Sequence, residues 1–217
     1  MSATVYVARH GETTWNLAGR YQGRLESDLS DLGIGQAQAL AGYFADRLAA
    51  GEPVPTRILS SPLRRCIETA AFTAALLGIA VETDARLIEI AHGTWEGRYR
   101  DEIAANDPPR YDAWRNDPEE VAFEGGESLG DVRARWHDFA GTLEETKKDL
   151  LVVTHDAIAR VAVLGATRRP LRDFWKVHVE NGAFARYARH DGAIAILEEC
   201  HTAHLGDLRA LLEGQAL

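Results

Sequence analysis

The sequence predicts an α/β fold: a three-layer α/β/α sandwich around a mostly parallel sheet, with an antiparallel strand late in the chain. Two observations support this prediction. Short apolar runs rich in β-branched residues alternate with segments whose apolar residues recur at helical spacing. Near the end, the runs at 183–189 and 193–198 are separated by a His-Asp-Gly triplet at 190–192, which is typical of an antiparallel hairpin.

Composition restricts the classes of function. The net charge of −9 gives no reason to expect binding to nucleic acid or to a membrane surface. No apolar run approaches the roughly 20 residues that cross a bilayer, and the start lacks the pattern of a signal peptide. Cys66 and Cys200 match no metal or redox spacing, so we expect free thiols and a cytoplasmic location.

The first half of the chain contains three predicted strands and two predicted helices. Ser30 has the features of a helix N-cap, Pro62 suits a first helical turn, and Gly78 ends the second helix. The strands are expected at 5–9, 57–61 and about 80–82, and the helices at about 31–48 and 62–77.

The second half begins with a segment of different character. Residues 98–128 have weak periodicity, three prolines and many charges, which predicts short helices and loops. After it come a long helix capped by Ser128 and reaching about Lys148, and a strongly apolar strand at 150–154. Helices are also predicted at 157–164 and 205–212. Without a linker or repeat, 1–217 is expected to form one domain, with 98–128 as a cap inserted over the active site.

Two of the predicted strands end in histidine. The first ends in Arg9-His10 and the later one in Thr154-His155. Because the carboxyl ends of parallel strands meet at one edge of a sheet, where ligands usually bind, the two histidines are expected to lie close together. Arg65 lies in the first turn of the helix after a third strand, at the same edge. Glu89 precedes Gly93 in a loop and is the candidate carboxylate.

This set of residues suits phosphoryl transfer without a metal or other cofactor. Arginine side chains match the oxygens of a phosphate group bidentately. A neutral histidine nitrogen can attack phosphorus and form a covalent intermediate. A carboxylic acid such as Glu89 can protonate the leaving oxygen. The other histidines lack the His-Glu-x-x-His spacing of a zinc site, so no metal is expected.

At this point the sequence resembles a known family, the histidine phosphatase superfamily, in the branch that includes cofactor-dependent phosphoglycerate mutases. The resemblance covers nearly the whole chain and implies a phosphoglycerate mutase-like fold. The matching motifs are Arg9-His10-Gly11-Glu12-Thr13, Trp15-Asn16, Gln22-Gly23, Ser60-Ser61-Pro62-Leu63-Arg64-Arg65, Glu89 with Trp95-Glu96-Gly97, Gly125-Gly126-Glu127-Ser128, and Val153-Thr154-His155 with Arg160.

The resemblance implies a role for each matching position. His10 would be the nucleophile that becomes phosphohistidine, and Glu89 the proton donor that later activates water. Arg9, Arg65 and His155 would form the phosphate pocket. The remaining substrate or phosphate contacts would come from Thr13, Asn16, Gln22, Gly23 and the backbone N–H of Asp156.

One position departs from the family. Asp156 stands where glycine usually follows the second histidine. In the acid-phosphatase branch of the superfamily, an aspartate at this position resembles the proton donor. The chain therefore has two candidate acids, and we favour Glu89 because the Gly93-Thr94-Trp95-Glu96-Gly97 pattern that follows belongs to the branch that uses a glutamate.

The resemblance allows two activities: a phosphatase, which transfers the phosphoryl group to water, and a mutase, which returns it to the substrate. The mutases have an arginine directly after the acid, a paired-arginine segment and a proline-rich insertion, whereas here Ile90 follows Glu89 and no such insertion is present. We therefore predict a phosphomonoesterase acting on a small phosphorylated metabolite, with a phosphoglycerate mutase as the alternative. A non-catalytic binding module and a phosphoprotein phosphatase are further alternatives. The sequence is also compatible with a homodimer.

Overall fold

The computed structural model describes residues 3–143, 148–190 and 193–209. Within this part of the chain, one six-stranded sheet forms the centre of the molecule. Its strands are β1 (Thr4–Arg9), β2 (Arg57–Ser60), β3 (Val81–Thr83), β4 (Leu150–Thr154), β5 (Phe184–His190) and β6 (Ala193–His201).

The sheet has the order β3-β2-β4-β1-β5-β6. Strands β1 to β4 run parallel to one another, while β5 is antiparallel to β1 and to β6. The predicted fold class, a mostly parallel sheet with an antiparallel addition late in the chain, is therefore confirmed. The hairpin of β5 and β6 provides two antiparallel strands.

Seven α-helices and several short 3-10 helices connect the strands in the described residues. The α-helices are α1 (Thr14–Leu17), α2 (Asp31–Ala49), α3 (Arg64–Leu77), α4 (Arg100–Asn106), α5 (Pro108–Asn116), α6 (Leu129–Thr142) and α7 (Asp156–Ala166). The 3-10 helices are Ala85–Leu87, Gly93–Trp95, Pro118–Glu120, Leu171–Lys176 and Ala203–Leu208. No helix in the described ranges is long and apolar enough to cross a membrane.

Alternate residues of the central strands are buried on opposite faces of the sheet, because side chains alternate along a strand. On β1, Val5 and Val7 belong to one apolar cluster, whereas Tyr6 and Ala8 belong to the other. Helices α6 and α7 supply the first cluster, and α2 and α3 supply the second. This arrangement is the predicted three-layer sandwich, with helices covering both faces of the sheet.

Three predicted helix boundaries are wrong. Leu63 is extended, so α3 starts at Arg64 and Pro62 lies before the helix rather than in its first turn. Helix α6 ends at Thr142, whose hydroxyl donates back to the Phe139 carbonyl at 2.6 Å, so the helix does not reach Lys148.

The tail provides the third difference. Ala203–Leu208 is a 3-10 helix broken at Gly206, and not the start of the predicted helix at 205–212. Residues 144–147, the hairpin turn residues 191–192 and the stretch 210–217 lie outside the described residues. The short helix α1 and the 3-10 helix Leu171–Lys176 were not predicted, since both are too short to show a periodic pattern.

The loop after β1 lies flush against the first turn of α2. A Cβ atom placed on Gly33 would come within 1.9 Å of the Glu12 carbonyl oxygen, and one on Gly11 within 2.4 Å of the Gly33 carbonyl oxygen. Only glycine allows two backbones to approach this closely. Helix α2 therefore supports the loop that follows His10.

We predict that Gly33→Ala lowers the free energy of unfolding by about 2 kcal/mol, because the new methyl group must displace the backbone at Glu12. Gly42→Ala in the same helix is the matched control. Gly42 has open space around its Cβ position, so this substitution should raise the free energy of unfolding by about 1 kcal/mol. Urea denaturation of both variants measures the difference, and equal stabilities would contradict the packing described here.

Candidate active site

The two histidines lie side by side at the carboxyl edge of the sheet. Strands β1 and β4 pair in a register that places Arg9 opposite Thr154, so His10 and His155 both follow the paired residues. The backbone N–H of His10 donates to the Thr154 carbonyl at 2.9 Å. The two ring centroids are 5.1 Å apart. The structure therefore brings together the two strand-end histidines that the sequence places 145 positions apart.

The environment of His10 defines which of its nitrogens is available. Its Nδ1 lies 2.7 Å from the Gly11 carbonyl oxygen, which can only accept a hydrogen bond. Nδ1 therefore carries the proton, and Nε2 of the neutral ring keeps its lone pair. Burial, together with the positive charges of Arg65 and Arg9, lowers the pKa of His10 well below its ordinary value. A neutral imidazole with a free Nε2 is the form required of a nucleophile.

His155 is held by groups from the neighbouring strand and helix. Its Nε2 lies 2.7 Å from the Ser61 hydroxyl, directly after β2, and 3.4 Å from the thiol of Cys66 in α3. Burial and the charge of Arg65 lower the pKa of His155 well below its ordinary value. Burial also raises the pKa of the Cys66 thiol, so this cysteine is a neutral packing partner rather than a second nucleophile.

Arg9 and Arg65 approach the histidines from different elements. Arg9, at the end of β1, donates to the Val179 carbonyl at 2.9 Å. Arg65, in the first turn of α3, donates to the carbonyls of Leu25 and Gly23 at 2.9 and 2.8 Å. Both guanidinium groups are buried. Carbonyl oxygens carry only partial charge, so these hydrogen bonds by themselves do not neutralise the two cations.

Arg65 also has an unused donor. Its Nε is buried and has no hydrogen-bond partner among the described residues. A buried, unpaired donor on a cation is costly unless a ligand supplies an acceptor. The first turn of α7, which starts at Asp156, adds backbone N–H groups that have no partner within the helix. Together these groups form a site that suits a phosphate group.

Glu89 lies in the same pocket, in the loop between β3 and α4. It is only 5% exposed, and its Oε1 accepts a hydrogen bond from the backbone N–H of Ile90 at 2.9 Å. Burial, followed by the negative charge of Asp156, raises the pKa of Glu89 to about 7. At neutral pH a large fraction of Glu89 therefore holds a proton, as a general acid requires.

Asp156, the second candidate acid, is in a different situation. Its Oδ1 lies 3.1 Å from Nη1 of Arg9, and its Oδ2 contacts Nε of Arg160 one turn further along α7. Arg160 in turn donates to the carbonyls of Phe174 and Val177. With both carboxylate oxygens engaged by guanidinium groups, Asp156 is less suited to donate a proton than Glu89.

The remaining sequence-predicted contacts form a connected network beside His10. Thr13 caps α1, and its hydroxyl lies 3.0 Å from the side-chain oxygens of both Asn16 and Gln22. Gln22 is followed by Gly23, whose positive φ of 50° places its carbonyl on Arg65. The loop after α1 is thereby linked to Arg65.

Sequence reasoning missed Asn181 and the contacts of Ser61 and Thr69. The Asn181 amide donates to the His10 carbonyl at 3.3 Å and lies 3.4 Å from the Asn16 side-chain oxygen. Thr69 accepts a hydrogen bond from the Gly11 N–H at 3.0 Å. The Asn-Gly pair at 181–182 signals only a turn, so no sequence pattern marks its position beside His10.

We predict that the His10 ring is neutral at pH 6 with its proton on Nδ1, because burial and two arginines lower its pKa. Nitrogen-15 NMR of the free protein measures the protonation state and tautomer, and the spectrum of His10→Ala assigns the signal. A doubly protonated His10 at pH 6 would show that the pocket is more hydrated or less positive than the structure indicates.

Comparison with known proteins identifies the family. A profile of the histidine phosphatase superfamily (branch 1) matches residues 5–200. Phosphoserine phosphatase 1 of Hydrogenobacter thermophilus is 34% identical over 206 residues, which cover 93% of both chains. Glucosyl-3-phosphoglycerate phosphatase of Mycobacterium tuberculosis is 35% identical over 168 residues, covering 73% of this chain and 71% of the relative.

A solved structure agrees with these relatives. Bacillus stearothermophilus YhfR superposes with a TM-score of 0.85 at 29% identity, covering 94% of this chain and 99% of that chain. The predicted resemblance and the prediction of a phosphatase are both confirmed. The chain therefore belongs to the histidine phosphatase superfamily, branch 1, and is a phosphoric monoester hydrolase.

Proposed function

We propose that the protein hydrolyses a small phosphomonoester in two steps through a phosphohistidine on His10. The observation that carries this proposal is the geometry of His10: its Nδ1 lies 2.7 Å from a carbonyl oxygen, which directs the free Nε2 lone pair away from that carbonyl. Arg9, Arg65 and His155 surround the same ring. Neutral nucleophile and fixed cations are the two requirements for attack on a phosphate group.

In the first step, Nε2 of His10 forms a bond to phosphorus while the bond from phosphorus to the ester oxygen breaks. The guanidinium groups of Arg9 and Arg65 bind the equatorial phosphate oxygens and stabilise their developing charge. The proton of Glu89 moves to the departing oxygen, so the product leaves as a neutral alcohol rather than as an alkoxide.

In the second step, a water molecule attacks the phosphorus of phosphohistidine. Glu89, now ionised, accepts a proton from this water, and the bond between Nε2 and phosphorus breaks to release inorganic phosphate. Glu89 thus acts first as an acid and then as a base. A pKa of about 7 suits both tasks at neutral pH.

We place the recognition of the leaving group in residues 98–128, which form a cap over the pocket. This segment packs against the loops that border the site: Trp114 contacts His92 at a ring-centroid distance of 5.9 Å, and Tyr21 donates its N–H to the Arg98 carbonyl at 3.0 Å. The relatives include a phosphoserine phosphatase and a phosphatase of a sugar-linked phosphoglycerate. Phosphoserine and phosphoglycerate derivatives are therefore the first substrates to test.

We also propose a cytoplasmic location. Cys66 and Cys200 form no disulfide, and Cys66 is buried beside His155. Free thiols are typical of proteins in a reducing compartment.

We predict that His10→Ala lowers turnover by about 10⁴-fold or more and abolishes acid-labile labelling by a phosphorus-32 substrate, since no phosphohistidine can form. Glu89→Gln should lower turnover by about 10²- to 10⁴-fold while still permitting some labelling, because only proton transfer is lost. His137→Ala, a change of an exposed histidine on α6, is the matched control and should leave both measurements unchanged. Full activity in His10→Ala would contradict the proposed nucleophile.

We further predict a substrate pattern. O-phosphoserine, 3-phosphoglycerate, glucosyl-3-phosphoglycerate and para-nitrophenyl phosphate should release inorganic phosphate, with kcat/KM highest for one of the small metabolites and lowest for a phosphopeptide. Adding EDTA should not change these rates, because the proposed steps use only side chains and water. A mutase would instead convert 3-phosphoglycerate into its 2-isomer when 2,3-bisphosphoglycerate is present, and preference for the phosphopeptide would contradict the proposed substrate class.

A further inference from the structure

Asp156 is a buried carboxylate that the reaction proposed above does not use. It is 1% exposed, stands directly after His155 and is the first residue of α7. As described, its two oxygens contact two different guanidinium groups, Arg9 from β1 and Arg160 from α7. A bare helix start, as glycine would give at this position, has neither contact.

The two guanidinium groups have their other hydrogen bonds to one segment of chain. Arg9 donates to the Val179 carbonyl at 2.9 Å, while Arg160 donates to the carbonyls of Phe174 and Val177, the former at 3.2 Å. Asp156 therefore lies between two cations that are each tied to residues 174–179. Arg9 is therefore held on two sides: by the Asp156 side chain from α7 and by the Val179 carbonyl from residues 174–179.

Asp156 also acts electrostatically on Glu89, whose pKa is raised first by burial. The groups that act on the Glu89 carboxyl are Asp156 from α7, Arg9 from β1, Arg65 from α3 and the backbone N–H of Ile90 in its own loop. Three of these four favour the ionised form of Glu89. Asp156 alone among them opposes it, because two carboxylates in one buried pocket repel each other when both are charged.

We propose that Asp156 is a positioning residue that fixes the Arg9 guanidinium for phosphate binding, and that its negative charge adds to the burial that keeps Glu89 protonated in the free enzyme. The inference rests on the proposed function, in which Arg9 binds phosphate and Glu89 is the acid. It assigns to Asp156 a role different from both the glycine usual in the family and the proton donor of the acid-phosphatase branch.

Two substitutions distinguish the effect of Asp156 on Arg9 from its effect on Glu89. Asp156→Asn removes the charge but keeps a side-chain oxygen beside the Arg9 guanidinium. Asp156→Gly removes both the charge and the oxygen. Loss of the charge acts on Glu89 in both variants, whereas loss of the whole side chain leaves Arg9 without its neighbour on α7 only in the glycine variant.

The test is the pH dependence of kcat/KM with O-phosphoserine, because its alkoxide leaving group needs the proton of Glu89 and because kcat/KM reports the free enzyme. In the wild type, kcat/KM should fall as pH rises through the pKa of Glu89, near 7. In both variants this fall should occur at a pH lower by about one unit or more, since the opposing charge is gone. KM should rise by about tenfold in Asp156→Gly and clearly less in Asp156→Asn.

Glu198→Gln is the matched control. Glu198 forms a half-buried ion pair with Arg186 on β5 and β6, away from the pocket, and its loss should leave the pH profile unchanged. An unchanged profile in both Asp156 variants would overturn the effect on Glu89, and equal KM values in the two variants would overturn the effect on Arg9. Phosphorus-32 labelling of the same variants distinguishes this inference from the proposed function. If His10 is labelled but the pH profile does not shift, the phosphohistidine mechanism stands and only the role of Asp156 is rejected.

Discussion

The site depends on the parallel pairing of β1 with β4. Their register places Arg9 opposite Thr154, so the next residue of each strand, His10 and His155, leaves the sheet at the same level. A shift of one residue would turn every side chain of the strand to the opposite face of the sheet and move Val5 and Val7 out of their apolar cluster. The same strand pairing therefore determines both the packing of the buried strand residues and the placement of the two histidines.

Around this pair of strands, the structure concentrates charge in a buried space. Three guanidinium groups, from Arg9, Arg65 and Arg160, share the pocket with the carboxyl groups of Glu89 and Asp156. Burying cations is unfavourable unless they are paired or held by hydrogen bonds. Here Asp156 pairs with Arg9 and Arg160, while backbone carbonyls hold Arg65 without neutralising it, so the pocket keeps an attraction for a phosphate dianion. The same burial lowers the pKa of His10 and raises that of Glu89 to about 7, so the free enzyme holds a neutral histidine beside a carboxyl group that can give and take a proton at neutral pH.

The sequence predicted the fold class and brought the main site residues to one sheet edge, because buried strands and their terminal residues have strong local patterns. To place the histidines after two strands and the arginines after a third at one edge, it was enough to know that the carboxyl ends of parallel strands lie together. The contact of Asp156 with Arg9 could not be predicted, since it joins the end of β1 to a helix start far along the chain. Asn181 was missed for the same reason. The end of α6 and the 3-10 tail depend on single backbone angles and one hydroxyl contact, which periodicity does not encode.

A crystal structure of the protein with orthovanadate tests the central claim most directly, because vanadate adopts the five-coordinate geometry of phosphoryl transfer. The account predicts vanadium bonded to Nε2 of His10, equatorial oxygens within hydrogen-bond distance of Arg9, Arg65 and His155, and an apical oxygen facing Glu89. Vanadate bound away from His10, or a His10 ring turned so that Nδ1 rather than Nε2 faces the anion, would contradict it.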